Sequence, residues 1–335
     1  MTQTIEFQLH DLLPYVNWIY FFHAWGMSPR FAKVADIHDC EICRRLWVES
    51  MGDADRSQAV EAEKLQREAV AMVRELDGKF QVYARFGLFP AWSEGDDIVV
   101  VTSEGKYDNK KKQRGKCTYK KVRLPFLRQQ KVMDTDRPLL CLSDFIAPHG
   151  VYNKEDKDEF VVFPSEKDSP RGAGIGVFST AVDGRMEELF PDDDYRHLLV
   201  QTICDRMAEA AAEKLHEEIR RQYWGYAPNE HLSPKALFSE KYEGRRPAVG
   251  YPSIPDQSVN FLIDDLIDMS AIGIALTANG MMQPHAAVSG FIFDHPAAQH
   301  FSVGTIDEEQ LLDYSQRRGW KEEEGRKYLA GNLRT

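Results

Sequence analysis

The chain has 335 residues, 43% of them hydrophobic, and a formal net charge of -11 at pH 7. These values indicate a globular protein with a substantial core, and the acidic balance argues against nucleic-acid binding. No apolar run is long enough to cross a bilayer and the N-terminus lacks a basic signal region, so we expect no membrane segment and a cytoplasmic location. Five cysteines are an odd, sparse set, which favours reduced thiols over a disulfide framework.

The first part of the chain is predicted to be helical. Residues 11–25 are rich in aromatic side chains and indicate an opening element packed on the core. Helical periodicity then predicts two consecutive helices, over residues 30–50 and 57–76. Their apolar faces are predicted to contain Phe31, Val34, Ile37, Ile42 and Leu46 in the first helix, and Val60, Leu65, Val70, Val73 and Leu76 in the second.

The first of these helices also contains His38, Cys40 and Cys43, a spacing used by both metal and redox sites. We favour structural thiols and predict no metal site. No second cysteine pair lies at zinc-ligand spacing, and thiols on a helix commonly behave as small buried hydrophobic groups.

Two stretches are predicted to form strands. Residues 79–102 contain alternating and continuous β-branched and aromatic runs around a turn at 94–96, which indicates an antiparallel pair. Residues 172–176 read GAGIG, but the full register of a dinucleotide-binding loop is missing and a strand-like run follows. Close backbone packing therefore explains these glycines better.

Two segments have a biased composition. Residues 106–123 contain nine Lys or Arg and one acid, which gives them a net charge of +8. This basic segment is either a solvated hairpin loop, which we favour, or a docking patch for an acidic partner. Residues 152–171 are polar and turn-rich, and we interpret them as an insertion.

The clearest predicted helix spans residues 193–224. Its apolar residues recur every four positions, and a second face carries Asp205, Glu209, Glu213 and His216. Such a face is typical of a solvated acidic surface.

The C-terminal part is predicted to mix helices and strands. Asp256 or Ser258 is expected to cap a helix whose inward residues are Phe261, Leu262, Leu266 and Met269. Strands are predicted at about 274–282, 287–293 and 300–306, with helices from 307 onward. Because strands and helices do not alternate regularly, we predict an α+β fold around an antiparallel sheet.

Between the long helix and this region lies a loop, residues 223–256, with the sequence RPAVGYP at its centre. Pro247 and Pro252 restrict the backbone, and Gly250 permits a turn. Arg246 is suited to grip a carboxylate, and the backbone near Ala248 to contact the edge of a flat heterocycle. Composition alone favours an ordinary surface connection.

These motifs resemble the S-adenosylmethionine-binding activation domain of cobalamin-dependent methionine synthase, nearly from end to end. The resemblance implies one curved, C-shaped α+β domain over residues 1–335, built on a mainly antiparallel twisted sheet with flanking helices. The motifs that carry it, in family order, are Asn17-Trp18 with Phe21-Phe22 and Trp25, GLFPAW, GDDI, LRQQ, CLSDFIAP, DRMAEAAAEKLHE, YWGYAPNE, EKYEGRRPAVGYP, SIPD and AVSGFIFDHP.

The resemblance also implies roles for individual residues. Glu209 and Glu240 would lie near the sulfonium, and Arg246 would hold the methionine carboxylate. Ala248 and Gly250 would supply backbone contacts, and Tyr251 would pack alongside. Asp205 and Gln257 would contribute to docking of the cobalamin domain, with Asp205 helping to hold its displaced histidine ligand. No catalytic residue is implied.

Three positions depart from the family pattern. Asn17 replaces an aspartate, which removes a negative charge and predicts weaker binding of the methyl donor. His300 and Phe301 replace two tyrosines, so flat surfaces remain while the phenol hydroxyls are lost. Gln257 replaces a histidine that faces the corrin, which predicts an altered docking surface.

The implied function is that of a free-standing reactivation subunit. It would bind S-adenosylmethionine and dock in trans on a cobalamin-binding methionine synthase, with a flavodoxin-like electron donor, and would be unable to make methionine alone. Cobalamin would be present only through the partner. The alternative is a corrinoid-protein docking module that has lost or altered donor binding. A methyltransferase acting on an unrelated acceptor ranks last, because no general base stands beside a separate acceptor pocket.

Overall fold

The computed structural model describes residues 2–104, 118–131, 138–149 and 171–333. Most of the basic segment 106–123 and nearly all of the predicted insertion 152–171 lie outside the described residues. Within the described ranges, no helix combines the length and apolar composition needed to cross a bilayer.

The fold is built on an antiparallel sheet. Its strands and a separate two-stranded pair are β1 (Thr2–Gln8), β2 (Gln81–Glu94), β3 (Asp97–Glu104), β4 (Thr118–Pro125), β5 (Gly174–Val182), β6 (Ala275–Leu276), β7 (Met282–Gln283) and β8 (Ala287–Ile292). The main sheet has the order β4-β3-β2-β5-β8, with β1 paired to the first half of β2, while β6 pairs only with β7. All of these strand pairs are antiparallel, which confirms the predicted α+β class.

Helices cover both faces of the sheet. They are α1 (Leu9–Leu12), α2 (Trp18–Ala24), α3 (Glu41–Glu49), α4 (Asp53–Leu76), α5 (Asp194–Glu218), α6 (Pro234–Phe238), α7 (Val259–Ile267), α8 (Glu308–Arg318) and α9 (Glu322–Tyr328). Side chains of β2 alternate between two clusters: Val82 and Phe86 pack with α4 and α5, whereas Phe89 and Ala91 pack with α7. All nine residues of β5 are buried between these layers.

Several predicted elements are confirmed. The turn at 94–96 joins β2 to β3, with Glu94 opposite Asp97. The glycine-rich run opens β5, and a Cβ at Gly176 would lie 2.9 Å from the Ile292 Cβ, so close packing is the reason for that glycine. The long helix is α5, continued by a π-helical turn over Ile219–Tyr223.

Other expectations are wrong in detail. The predicted helix 30–50 is a 3-10 helix (Pro29–Asp36) followed by α3, and Ile42, Leu46 and Val60 are at least half exposed. Phe261 is also exposed, at 37%. In these cases the apolar spacing correctly predicted a helix, but other elements do not fully bury the apolar face that it indicated.

The C-terminal strands are partly wrong as well. The segment 274–282 contains only β6 and the first residue of β7, and 300–306 is irregular. That irregular segment is held by a bond from Val303 N to Pro252 O at 2.9 Å and one from Ile306 N to Asn332 O at 2.8 Å. Val303 and Ile306 are buried, and Ile306 also forms an isolated parallel bridge with Leu333.

Candidate functional site

Three carboxylates on one face of α5 receive partners from other elements. Asp205, Glu209 and Glu213 are four residues apart and half-buried. His285 Nδ1 lies 3.5 Å from Asp205 Oδ1, and the Tyr251 hydroxyl donates to Glu209 Oε1 at 3.1 Å. The interpretation of this face as a solvated acidic surface is therefore wrong.

Glu213 has the most buried partner. Arg246 Nη2 donates to Glu213 Oε1, and the two side chains are 8% and 20% exposed. Burial acts to lower the pKa of Arg246, but the nearby carboxylates, chiefly Glu213, raise it above the ordinary arginine value. Arg246 is thus a fixed cation.

The Arg246 guanidinium is not fully satisfied. It lies over the Phe178 ring, 5.4 Å from the centroid. Its Nε is buried and has no hydrogen-bond acceptor among the described residues. Glu213 Oε2 is likewise buried and has no described donor. Arg206, Arg220 and Arg221 also have buried nitrogens without a described partner, so what distinguishes Arg246 is the place of its unpaired donor beside the carboxylates of α5.

The loop that carries Arg246 is fixed along the outer edge of β8. Phe291 N donates to Pro247 O at 3.1 Å, and Val249 N donates to Ser289 O at 2.9 Å. A Cβ at Gly290 would lie 2.2 Å from Pro247 O, so only glycine permits this approach.

Ala248 lies opposite Gly290 in this pairing, at a position whose own N–H and C=O point away from β8. The Ala248 C=O accepts from Tyr251 N at 3.3 Å. Its N–H has no acceptor in the part of the chain that the structure describes. A backbone donor is therefore available beside Arg246.

A fourth carboxylate, that of Glu240, lies on the loop that carries Arg246. Glu240, at φ +50°, places Oε1 3.1 Å from His300 Nε2 and Oε2 3.6 Å from Arg245 Nε. The hydrogen bond from His300 and the nearby arginines lower the pKa of Glu240, although burial opposes them. Glu240 is therefore a carboxylate at neutral pH.

The two docking residues predicted from the resemblance, Gln257 and Asp205, have different neighbours. Gly250 has φ +88°, and a Cβ there would lie 2.4 Å from Gln257 Nε2, so these two residues are in direct contact. Asp205 faces His285, and burial raises the pKa of the Asp205 carboxyl.

Two predicted residues make their described contacts elsewhere. Asn17 caps α2, with its Oδ1 accepting from Ile19 N at 3.1 Å. The Phe301 ring packs against Phe145, with centroids 6.4 Å apart. Neither contact joins these residues to Arg246.

Sequence reasoning missed a buried layer beneath the loop. His216, expected on the acidic face, is fully buried with its ring centroid 5.0 Å from that of Tyr242, and burial lowers its pKa well below the ordinary value. Arg220 is also fully buried, lies 4.1 Å over Tyr242 and donates through Nε and Nη2 to the Glu230 carboxylate. The spacing of four residues between His216 and Arg220 is a signal for this layer that the sequence offers.

Arg246, the carboxylates of α5, Glu240 and the Ala248 backbone form one group around Arg246. This group offers a fixed cation with a free donor, several carboxylates and an unpaired backbone N–H. This combination suits a ligand that has a carboxylate, a positive charge and a planar heterocycle.

Comparison with known proteins gives a consistent result. Residues 8–319 match the family described as vitamin B12 dependent methionine synthase, activation domain. Among solved structures, the chain is similar to the MetH reactivation domain bound to AdoHcy, with 31% sequence identity and a TM-score of 0.76. The match covers 100% of this chain and 91% of that chain, so the likeness extends over almost the whole of both.

Proposed function

Because this chain belongs to the family of vitamin B12-dependent methionine synthase activation domains, we propose that it binds S-adenosylmethionine and serves the reactivation of a cobalamin-binding methionine synthase. The observation that carries the proposal is the buried, unpaired Nε of Arg246 between the carboxylates of α5 and the edge of β8. The similar MetH reactivation domain was solved with AdoHcy bound, and AdoHcy is S-adenosylmethionine without its transferable methyl group.

Each part of the ligand has a partner in this proposal. Arg246 holds the amino-acid carboxylate through its free donor while it keeps Glu213, since a guanidinium has five N–H groups. Glu209 and Glu240 stabilise the sulfonium by their negative charge. The remaining contacts come from the backbone of Ala248 and Gly250 and from the side chains of Asn17, Tyr251, His300 and Phe301.

The proposed subunit acts in trans. Asp205, with its raised pKa, and Gln257, in contact with Gly250, form part of the surface that docks on the cobalamin domain. Cobalamin stays on the partner, a flavodoxin-like protein supplies the electron, and S-adenosylmethionine supplies the methyl group. What this chain contributes is the orientation of the methyl donor over the docking surface.

A calorimetric titration of the purified chain with S-adenosylmethionine and with AdoHcy tests the ligand half. We expect saturable binding of both. Absence of binding for both ligands would remove this half of the proposal.

The docking half is tested separately, by adding the chain to a cobalamin-binding methionine synthase that lacks its own activation domain. With a chemical reductant and S-adenosylmethionine present, we expect methylcobalamin to form only when the chain is added. Docking without donor binding would instead select the alternative, a docking module that no longer uses the donor. The existing ion pair of Arg246 with Glu213 is the observation that favours this alternative.

A further inference from the structure

The link between the 3-10 helix Pro29–Asp36 and α3 brings three metal-ligating side chains together. His38, Cys40 and Cys43 each offer one ligand atom, and these atoms all lie within 4.8 Å of one another. His38 is exposed and both cysteines are only half-buried. The interpretation of Cys40 and Cys43 as buried structural thiols is therefore wrong.

The geometry of the link is fixed by its neighbours. Cys40 is the N-cap residue of α3, and its sulfur accepts the Cys43 N–H at 3.3 Å. Asp39 forms ion pairs with Arg44 at 3.4 Å and with Arg74 of α4 at 3.5 Å. The three ligand groups are thus held together on a packed helix pair, while Asp39 is engaged elsewhere.

We propose that His38, Cys40 and Cys43 form a three-ligand site for a thiophilic divalent metal ion of the zinc class. Two thiolates and an imidazole are the donor set that zinc accepts, whereas magnesium and calcium prefer oxygen ligands. Zinc bonds of about 2.3 Å to sulfur and 2.0 Å to nitrogen place tetrahedral ligand atoms roughly 3.5 to 3.8 Å apart. The three side chains reach that spacing by small rotations, and water occupies the fourth position in the isolated chain.

The site is independent of the proposed function, because it shares no residue with the group around Arg246. The proposed metal site also differs from a Cys40–Cys43 disulfide, in which His38 would not take part. Substitution of His38 therefore separates a three-ligand metal site from a redox pair.

The test uses the full chain, reduced and stripped of metal. Zn²⁺ is titrated against a chromophoric chelator, and Co²⁺ serves as a spectroscopic probe. We expect one metal ion per chain, with the thiolate-to-cobalt charge-transfer absorption and intense visible bands of a tetrahedral site.

The variants His38→Ala and Cys43→Ser should each weaken zinc binding by more than about 100-fold, because even outer partners of metal ligands contribute 10- to 100-fold. His23→Ala, at an exposed histidine of α2, is the matched control and should bind zinc like the unaltered chain. Far-UV circular dichroism and thermal unfolding verify that each variant is folded, and the S-adenosylmethionine titration is repeated on each.

Unchanged zinc affinity in His38→Ala would overturn the assignment, as would a cobalt spectrum without charge-transfer absorption. Loss in Cys43→Ser but not in His38→Ala would mean a simple dithiol and would equally overturn it. Either result leaves the donor titration unaffected, so failure here is distinguishable from failure of the proposed function.

Discussion

Arg246 and Glu213 form a largely buried ion pair that joins the loop before α7 to the C-terminal part of α5. The pair holds the guanidinium in place before any ligand arrives, while Arg246 Nε remains without an acceptor among the described residues. Such preorganisation reduces the ordering that a ligand must impose on the site when it binds.

Arg246→Lys should weaken S-adenosylmethionine binding by about 10-fold or more. Lysine keeps the charge but loses the planar pair of donors, and a hydrogen bond to a charged group contributes about 1.5 to 3 kcal/mol. Calorimetric titration gives the affinity. Arg221→Lys is the matched control, since Arg221 pairs with Glu217 of α5 at 3.0 Å. Equal affinities for the two variants would contradict the role of Arg246.

Glu213→Gln should lower the free energy of unfolding by about 3 kcal/mol, because removal of one partner leaves a nearly buried cation uncompensated. Urea unfolding at neutral pH measures the change. Glu218→Gln breaks the more exposed pair with Lys214 and should cost no more than about 1 kcal/mol. The double variant Arg246→Met with Glu213→Gln should recover most of the loss. A double variant as unstable as Glu213→Gln would show that the uncompensated charge is not the cause.

Gly250→Ala should weaken donor binding in addition to destabilising the fold. Gly250 and Gly319 both have positive φ, +88° and +72°, so alanine at either position costs about 1 to 2 kcal/mol in unfolding experiments. A Cβ at Gly250 also strikes Gln257 Nε2, whereas Gly319 has open space around it. Only Gly250→Ala should therefore lower the affinity in the calorimetric titration. A similar loss in Gly319→Ala would assign the effect to backbone strain alone.

Asp294→Asn should change how stability depends on pH. Burial raises the pKa of Asp294 from 3.8 to about 6, although the Gly172 N–H that it accepts at 2.9 Å opposes the shift. The folded state therefore retains a proton that the unfolded state releases, and the contribution of this group is full below about pH 4 and lost as pH rises through 6.

Because asparagine keeps the hydrogen-bond acceptor without the charge, the stability of the variant should not decline between pH 4 and pH 7. At pH 7 its free energy of unfolding should exceed that of the unaltered chain by up to about 3 kcal/mol, since each pKa unit corresponds to 1.36 kcal/mol. Urea unfolding between pH 4 and pH 7 is the measurement, with Asp265→Asn at an exposed position of α7 as the control. Parallel stability profiles for the Asp294 variant and the unaltered chain would contradict the prediction.

The parts of the fold that could be predicted are those with a local signal. Two such signals are the spacing of apolar residues in α5 and the turn between β2 and β3, since each depends on residues close together in the sequence. β1 was not predicted, because it is defined by its pairing with β2, some eighty residues later in the chain. The segment 300–306 has the composition of a strand, but its only described β-pairing is the isolated bridge of Ile306 with Leu333.

In the candidate site, too, features with a local sequence signal could be predicted and long-range contacts could not. The restricted loop around Arg246 could be predicted from its prolines and glycine. Its ion pair with Glu213 could not, because an acidic helix face has the same sequence pattern whether water or another element covers it. The convergence of His38 with Cys40 and Cys43 was likewise hidden, since a continuous helix was expected where the chain bends.

The pairing of the Arg246 loop with β8 has a consequence for how this protein tolerates change. β8 is the last strand of the main sheet, and the loop is what shields its outer edge. A mutation that frees the loop would uncover unpaired backbone groups, which are a template for aggregation between chains. The segment proposed to bind the ligand therefore also protects the molecule from aggregation, and we expect substitutions there to be constrained even at residues that touch no ligand atom.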